Sequence, residues 1–412
     1  MAYRWQLLAL LWLTFFLNQA DRQAFNVVLP LVRSELRLTD LQLGMVSSLF
    51  SLAFALALPF AGYAGDVLSR KRVIVWSLAM WSAATMLTGW TGGVVTLVLC
   101  RSLATGAGEA MYFPSANSLI GQHHTGTRSI AMAIHQTAVY TGLIASGLIA
   151  GWIGDHYGWR ITFVVFGLAG VALAPLFALR VQDSPQPVGG ARSLAAELPA
   201  LRREVIVKPT FLLMSLGFCC MVFVNVGYLA WMPTHLHETF GFTLARAGFG
   251  AMVYHHVGTF IGVLIGGWCS DTLARKRFEA RAELAGAGLL AGAPFLLLLG
   301  NQDSAPVVFA GLLGFGLLRG VYEANMWVAL FDVIPSRFRG QATALVISFA
   351  YVVGAVAPTL LGWMKSRSGL AGAFPWLALV YLAGGAAIFV ARAATLRRDR
   401  LAPEAAPLPK RA

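Results

Sequence analysis

Twelve stretches of mostly apolar residues, each long enough to cross a lipid bilayer, follow one another along this chain with only short polar joints between most of them. A hydrocarbon core of about 30 Å needs about 20 apolar residues per helix. That ruler places the stretches near residues 6–32, 41–65, 73–92, 94–121, 129–153, 160–182, 209–238, 244–270, 283–301, 305–333, 340–366 and 372–396. No water reaches backbone N–H and C=O groups inside hydrocarbon, so spanning segments of this length are helices. Mean hydropathy is +0.68 over the whole chain, and only 12% of the residues are charged, about half the share of a soluble domain. No single globular core hides that much apolar surface. The expected fold class is an all-α membrane protein.

One joint is longer than the rest. Val181 to Lys208 contains Asp183, Pro185, Pro187, Gly189 and Gly190 ahead of a charged end, and it divides the helices into two sets of six. The expected organisation is an N-terminal six-helix bundle (1–180), a cytoplasmic linker (181–208), a C-terminal six-helix bundle (209–400) and a cytoplasmic tail (401–412). The net charge of +13 does not point to nucleic acid as a partner, because the basic residues lie between apolar runs rather than along one face. Their distribution reports orientation instead. With both termini in the cytoplasm, 22 of the 31 Lys and Arg residues fall on that side and six on the other, while Arg22, Arg101 and Arg319 lie inside helices. The first apolar run, from about Leu7 past Pro30, is too long for the apolar region of a signal peptide and serves as its own insertion signal. Cys100, Cys219, Cys220 and Cys269 sit in or beside apolar segments without metal-ligand spacing, and read as small buried hydrophobes. No metal or cofactor is expected. The expected setting is a bacterial inner membrane, with lipids around a monomer.

The joint after the second stretch reads Gly62-Tyr-Ala-Gly-Asp66-Val-Leu-Ser-Arg70-Lys71, and the joint after the eighth reads Gly267-Trp-Cys-Ser-Asp271-Thr-Leu-Ala-Arg275-Lys276. Both fit G-x-x-x-D-x-x-x-R-K, and they lie 205 residues apart in a chain of 412. A lone basic loop would be an anchor under the positive-inside bias. Two copies at matching places imply duplicated halves, related by an axis along the membrane normal, with a substrate site between them at mid-membrane. On these motifs the chain resembles the major facilitator superfamily, and the resemblance spans essentially the whole sequence. It implies a gate cluster of Gly62, Asp66, Arg70 and Lys71, echoed by Gly267, Asp271, Arg275 and Lys276, that locks the cytoplasmic side. Asp66 would sit near the positive end of a helix dipole. Val67 and Ser69 depart from the family's usual basic residue and glycine.

A charge at mid-membrane costs at least ~2.5–3.5 kcal/mol, so it normally faces a cavity or a partner. Helix 1 carries Asn18, Gln19, Asp21, Arg22 and Gln23; helix 4 carries Arg101 and then Gly106-Ala-Gly108-Glu109-Ala-Met-Tyr112-Phe-Pro114; helix 10 carries Arg319-Gly320-Val-Tyr322-Glu323-Ala-Asn325. Arg319 and Glu323 are spaced i,i+4 and share a helix face. The same groups also suit salt bridges that only join helices, and Arg101, near the start of its helix, also suits snorkelling. Gln136 and Tyr140 on helix 5, Tyr254 and Gly258 on helix 8, and Asn225 and Tyr228 on helix 7 are weaker candidates, as are His135, His255 and His256. His123 and His124 are placed in a cytoplasmic loop.

Asp21-Arg22 together with the Arg…Gly-x-Gly-Glu-Ala…Pro run resembles the organic anion–proton symporters of sugar acids and other carboxylates; the spinster-like lipid transporters are similar as well. The first resemblance implies proton sites at Asp21 and Glu109, with Glu323 added in the second half. It implies anion contacts at Arg22 and Arg101, and the second half adds Arg319, with Gln136, Tyr140, Tyr322 and Asn325 around them. The symporter pattern separates arginine and glutamate by seven residues. Here Arg101 to Glu109 is eight, roughly 80° off one face, unless the glycines or Pro114 rewind the helix.

Nucleotide-binding loops, nucleophile elbows and the HExxH motif are absent from the sequence, so an ATP-driven pump and an enzyme are not expected. The expected function is proton-coupled symport of a small organic anion by alternating access. The alternatives are proton-driven export of a lipid-like or drug-like amphipath and, in another class, a non-transporting receptor or assembly factor.

Overall fold

The computed structural model describes residues 3–182 and 199–401. Residues 183–198 of the expected linker and 402–412 of the expected tail lie outside the described residues. The described chain is helical almost throughout. Its membrane helices are α1 (Tyr3–Leu36), α2 (Asp40–Val67), α3 (Arg70–Thr88), α4 (Val94–His123), α5 and α6 (together Arg128–Arg180), α7 (Pro209–Phe240), α8 (Leu244–Ala274), α9 (Ala280–Leu298), α10 (Ala305–Phe331), and α11 and α12 (together 339–399). Among the described residues, eight helical runs are long and apolar enough to cross a membrane by themselves, and two of these hold two helices each. The polar and charged residues of α1 and α3 keep those two helices below the same mark.

Two of the expected joints shrink to a single residue. Gly158, at φ 82°, ends α5 and starts α6, and Gly369, at φ 69°, does the same between α11 and α12. Both lie in the left-handed region, where a side chain costs roughly 1–2 kcal/mol, and both occupy the same place in their halves. Elsewhere the sequence supplies its own caps. Thr39 and Gln42 form a reciprocal capping box, with Gln42 N–H donating to Thr39 Oγ1 and Thr39 N–H donating to Gln42 Oε1 at 2.9 Å. That box fixes Asp40 on the first turn of α2.

The halves meet along two seams, α5 against α8 and α2 against α11. Small residues make both seams close. A Cβ added to Gly147 of α5 would stand 2.4 Å from the carbonyl oxygen of Gly248 of α8, and one on Gly151 would stand 2.4 Å from Ala245. On the second seam a Cβ at Gly44 would stand 2.4 Å from the Pro358 oxygen. Gly147-x-x-x-Gly151 lets two backbones touch, the small-residue packing typical of membrane helices.

The polar bonds between halves gather toward the face away from the termini. Asp155, at the end of α5, accepts from the N–H groups of Leu244 and Ala245 at 2.9 and 3.0 Å. It thereby caps α8 of the other half, where the helix dipole favours an anion. Arg33 and Asp40 of the first half meet Glu238 and Lys365 of the second in a four-membered ring. Its contacts are Arg33–Asp40 3.3 Å, Arg33–Glu238 3.0 Å, Lys365–Asp40 3.0 Å and Lys365–Glu238 2.9 Å. Lys365 is nearly buried and its ammonium also lies 5.3 Å from the Trp231 ring centroid. Removing one partner of such a buried pair costs about 2–5 kcal/mol. Lys365→Met is therefore expected to weaken the join between the halves at this face by at least about tenfold. Spin-label distances between Tyr157 and Arg246, both exposed here, would lengthen; unchanged distances would contradict the ring's part in holding the halves together.

Candidate functional site

Adjacent residues on a helix point about 100° apart, and on α1 this sends Asp21 and Arg22 to different neighbours. Asp21 turns into the first half. It accepts from Thr85 Oγ1 of α3 and from Arg101 Nη1 at 3.0 Å. Arg101 Nη2 donates to the main-chain oxygens of Asp21 at 3.0 Å and Arg22 at 2.9 Å. Asp21 and Arg101 are 3% and 2% exposed, so this bridge is closed off from solvent. Arg22 faces the other way, where its Nε donates to Glu109 Oε2 at 3.0 Å and its guanidinium lies 4.2 Å from the Phe54 ring centroid.

The eight-residue gap between Arg101 and Glu109 is reconciled by the backbone. Val98–Ala104 of α4 forms a π-helical turn. Such a turn takes in an extra residue and recurs at functional sites. Arg101 therefore comes back to the side of α4 that meets α1. The rewinding lies upstream of the glycines and Pro114, the positions where the sequence suggested it. Gly106 and Gly108 serve packing instead, since a Cβ at Gly106 would stand 2.8 Å from the Phe50 oxygen and one at Gly108 3.0 Å from Trp81.

The second half has its own arginine–glutamate pair. Arg319 Nη2 donates to Glu323 Oε1 at 2.6 Å along one face of α10. Its Nη1 donates to Asn225 Oδ1 at 2.6 Å and to His255 Nε2 at 2.8 Å. His255 packs on Tyr228, ring centroids 4.7 Å apart.

A cavity of about 860 Å³ lies between the halves and joins the two pairs. Arg22, Glu109, Gln136 and Tyr140 line it from the first half, and Arg319, Tyr322 and Glu323 from the second. It extends toward the end of the molecule that carries the termini, where Gly62 and Gly340 are part of its wall. A smaller recess of about 170 Å³ adjoins it, bordered by Arg22, Arg101, Tyr140, Asn225, His256 and Arg319.

Seven of the ten candidate transport residues thus meet on one cavity. Arg101 borders only the recess and is held by Asp21. Asp21 itself points away from the cavity and touches the recess only through Arg101. Asn325 is elsewhere: its Nδ2 donates to the oxygens of Val321 at 2.9 Å and Gly266 at 3.3 Å, in the seam between α10 and α8. A short amide on a crowded helix face meets backbone before it meets a cavity, and its i−4 carbonyl is the nearest acceptor.

The repeated loop motif is less symmetric in space than in sequence. Arg70 is buried at the start of α3, whereas Asp271, Arg275 and Lys276 are exposed at the end of α8. Asp66 falls in the last turn of α2, and its side chain lies outside the described residues; the residue that caps α3 is Ser69, whose Oγ accepts from Arg72 N–H at 3.3 Å. Of the histidines, His135 bonds Tyr112 at 2.9 Å and His124 bonds the Arg4 oxygen at 3.0 Å, both within the first half. Sequence reasoning missed Thr85 as the partner of Asp21; the position carries no local signal, because it acts only across a helix interface.

Comparison with known proteins agrees with this architecture. The sequence profile of the Major Facilitator Superfamily matches residues 11–358. The chain is 28% identical over 387 residues to the "Probable sulfoacetate transporter SauU" of Cupriavidus necator, covering 89% of this chain and 88% of that protein. It is 25% identical over 411 residues to the "Hexuronate transporter" of Bacillus subtilis (strain 168), covering 93% and 92%. In fold it is similar to the crystal structure of a bacterial homolog to the human lysosomal transporter Spinster in an inward-facing and unoccupied conformation. That likeness has a TM-score of 0.83 at 22% identity and covers 98% of this chain and 100% of that one.

Proposed function

This chain belongs to the major facilitator superfamily and is a multi-pass secondary transporter rather than an enzyme; from that premise we propose that it carries a small organic anion, a sugar acid or another carboxylate, together with protons. The observation that carries the reading is the pairing of each cavity arginine with a glutamate, Arg22 with Glu109 and Arg319 with Glu323. An anion entering the cavity competes with these carboxylates for the guanidinium groups. Proton uptake by a glutamate ends the competition, so substrate and proton favour each other's binding. Charge-assisted bonds from arginine suit a carboxylate in particular, because the planar fork matches its two oxygens. A cavity wall with four charged side chains also suits a small anion better than a lipid-like amphipath. The relatives named for sulfoacetate and hexuronate support the same class.

In this reading both termini face the cytoplasm of a bacterial inner membrane and the protein works as a monomer. Residues 1–180 rock against 209–400 about the cavity, with 181–208 as the linker and 401–412 as the tail. The structure, closed by the Arg33–Asp40–Lys365–Glu238 ring, then corresponds to the inward-facing state. Asp21, which the resemblance implies as a proton site, stays paired with Arg101 in this reading. Together they brace α1 and set the direction of Arg22, and the protons that move are those of Glu109 and Glu323. The loop clusters around Asp66 and Asp271 close the cytoplasmic side in the outward-facing state.

The test is uptake of a panel of sugar acids and short carboxylates by proteoliposomes under an imposed pH gradient. At least one anion is expected to accumulate only when the outside is the more acidic. Uptake that ignores the gradient across the panel would refute proton coupling, and protection of the protein by lysolipids but by none of the anions would favour export of an amphipath.

A further inference from the structure

We propose that the transported molecule carries two anionic groups, one held by Arg22 of the first half and the other by Arg319 of the second. The inference rests on the proton-coupled anion reading and adds a substrate class to it.

Charge in the cavity is arranged as two separate neutral units. Arg22 and Glu109 cancel on one wall, and Arg319 and Glu323 cancel on the other. The third intramembrane arginine is already committed, since Arg101 spends its donors on Asp21 and on two main-chain oxygens. Each cavity pair is also incompletely bonded. Arg22 Nη2, Glu109 Oε1 and Arg319 Nε are buried atoms that lack a hydrogen-bond partner among the described residues. Each half thus keeps a guanidinium nitrogen with no acceptor while its glutamate holds the rest of the group. Arg22 and Arg319 border the same 170 Å³ recess, with neutral polar Tyr140 and Asn225 on its wall. A monoanion fills one place and leaves the second arginine on its glutamate. A linear molecule with an anionic group at each end fills both, and in doing so ties the halves together.

The charge balance follows. A proton on Glu109 and a proton on Glu323 release one guanidinium each, and two protons moving with one dianion transfer no net charge. Arginine from one half only would give a different carrier, since the second pair would take no part in the cycle.

The experiment uses the full chain in proteoliposomes, acidic outside, with the membrane potential clamped by potassium and valinomycin. Two matched pairs are compared, glucarate with gluconate and succinate with its monoamide succinamate. In each pair one end is charged or neutral on a nearly unchanged frame. The dianion is expected to be carried about tenfold faster or more in at least one pair, the loss of one charge-assisted contact being worth that factor. Its uptake is expected to be insensitive to the clamped potential. Arg319→Gln is expected to bring that ratio close to one by lowering dianion uptake more than monoanion uptake. Equal or faster uptake of both monoanions by the unaltered protein, with the pH-gradient dependence intact, would overturn the two-arginine assignment alone. A dianion preference that ignores the pH gradient would overturn the proton reading and leave the assignment standing. Failure to carry any of the four would overturn both.

Discussion

In a Glu109→Gln variant the anion is expected to stop accumulating against its gradient to the normal level, while exchange of labelled for unlabelled substrate continues. Each pH unit across the membrane is worth about 1.4 kcal/mol per coupled proton. A two-unit gradient therefore supports about a hundredfold accumulation for every proton carried. Removing one proton site is expected to lower the steady-state level by about that factor. The folded structure has little reason to change, because the glutamine amide oxygen can still accept from Arg22 Nε at the place where Glu109 Oε2 now stands 3.0 Å away. What changes is the competition: a permanently neutral side chain holds the guanidinium by an ordinary hydrogen bond and neither takes up nor releases a proton as substrate comes and goes. Glu109→Asp keeps the carboxyl group and is expected to remain coupled at a reduced rate. A glutamine variant that accumulates substrate as the unaltered protein does would remove Glu109 from the proton pathway.

The second large effect needs no change of charge. Gly147→Leu places a side chain where the Gly248 backbone of the other half now lies, with even its Cβ only 2.4 Å from that carbonyl oxygen. Overpacking into a closed core costs typically 1–3 kcal/mol, and here the obstacle is backbone, which yields least. The state closed at the face away from the termini is expected to lose about a hundredfold in population. Net transport falls with it, and substrate binding from the opened face persists. Ligand-induced thermal stabilisation with labelled-substrate uptake on the same preparation checks both halves of this statement. Gly126→Ala serves as the comparison, because a Cβ at Gly126 meets nothing within 4 Å. Equal loss in both variants would mean that the α5–α8 seam has no special part in closure.

How much of this was legible in the residues depended on whether the signal was local. The membrane helices announce themselves by length and hydropathy, and the duplicated halves by a motif repeated at the same internal spacing. Arg319 and Glu323 could be paired from i,i+4 spacing alone, and they do pair. Joints were overestimated at Gly158 and Gly369, because a helical break of one residue in the left-handed region leaves no polar stretch to notice. The eight-residue gap from Arg101 to Glu109 argued against a shared face only while the helix was taken as regular; a π turn over Val98–Ala104 is a backbone choice set by packing. Arg33 and Lys365 entered the sequence reading merely as basic residues on the minority side. Their ring with Asp40 and Glu238 joins four positions spread over more than 300 residues, and no local pattern links them. Asn325 failed for the opposite reason. Its place in the polar run that begins at Arg319 suggested the cavity, but the nearest acceptors are backbone oxygens of its own helix and of α8.

The most direct measurement of the central claim is the proton itself. Liposomes holding the protein, in a weakly buffered medium with a pH-sensitive dye outside, are given the transported anion with no gradient imposed beforehand. The account predicts that the outside turns alkaline as substrate enters, in fixed proportion to the amount taken up, and that the proportion falls in Glu109→Gln. Substrate entering while the dye signal stays flat would contradict it.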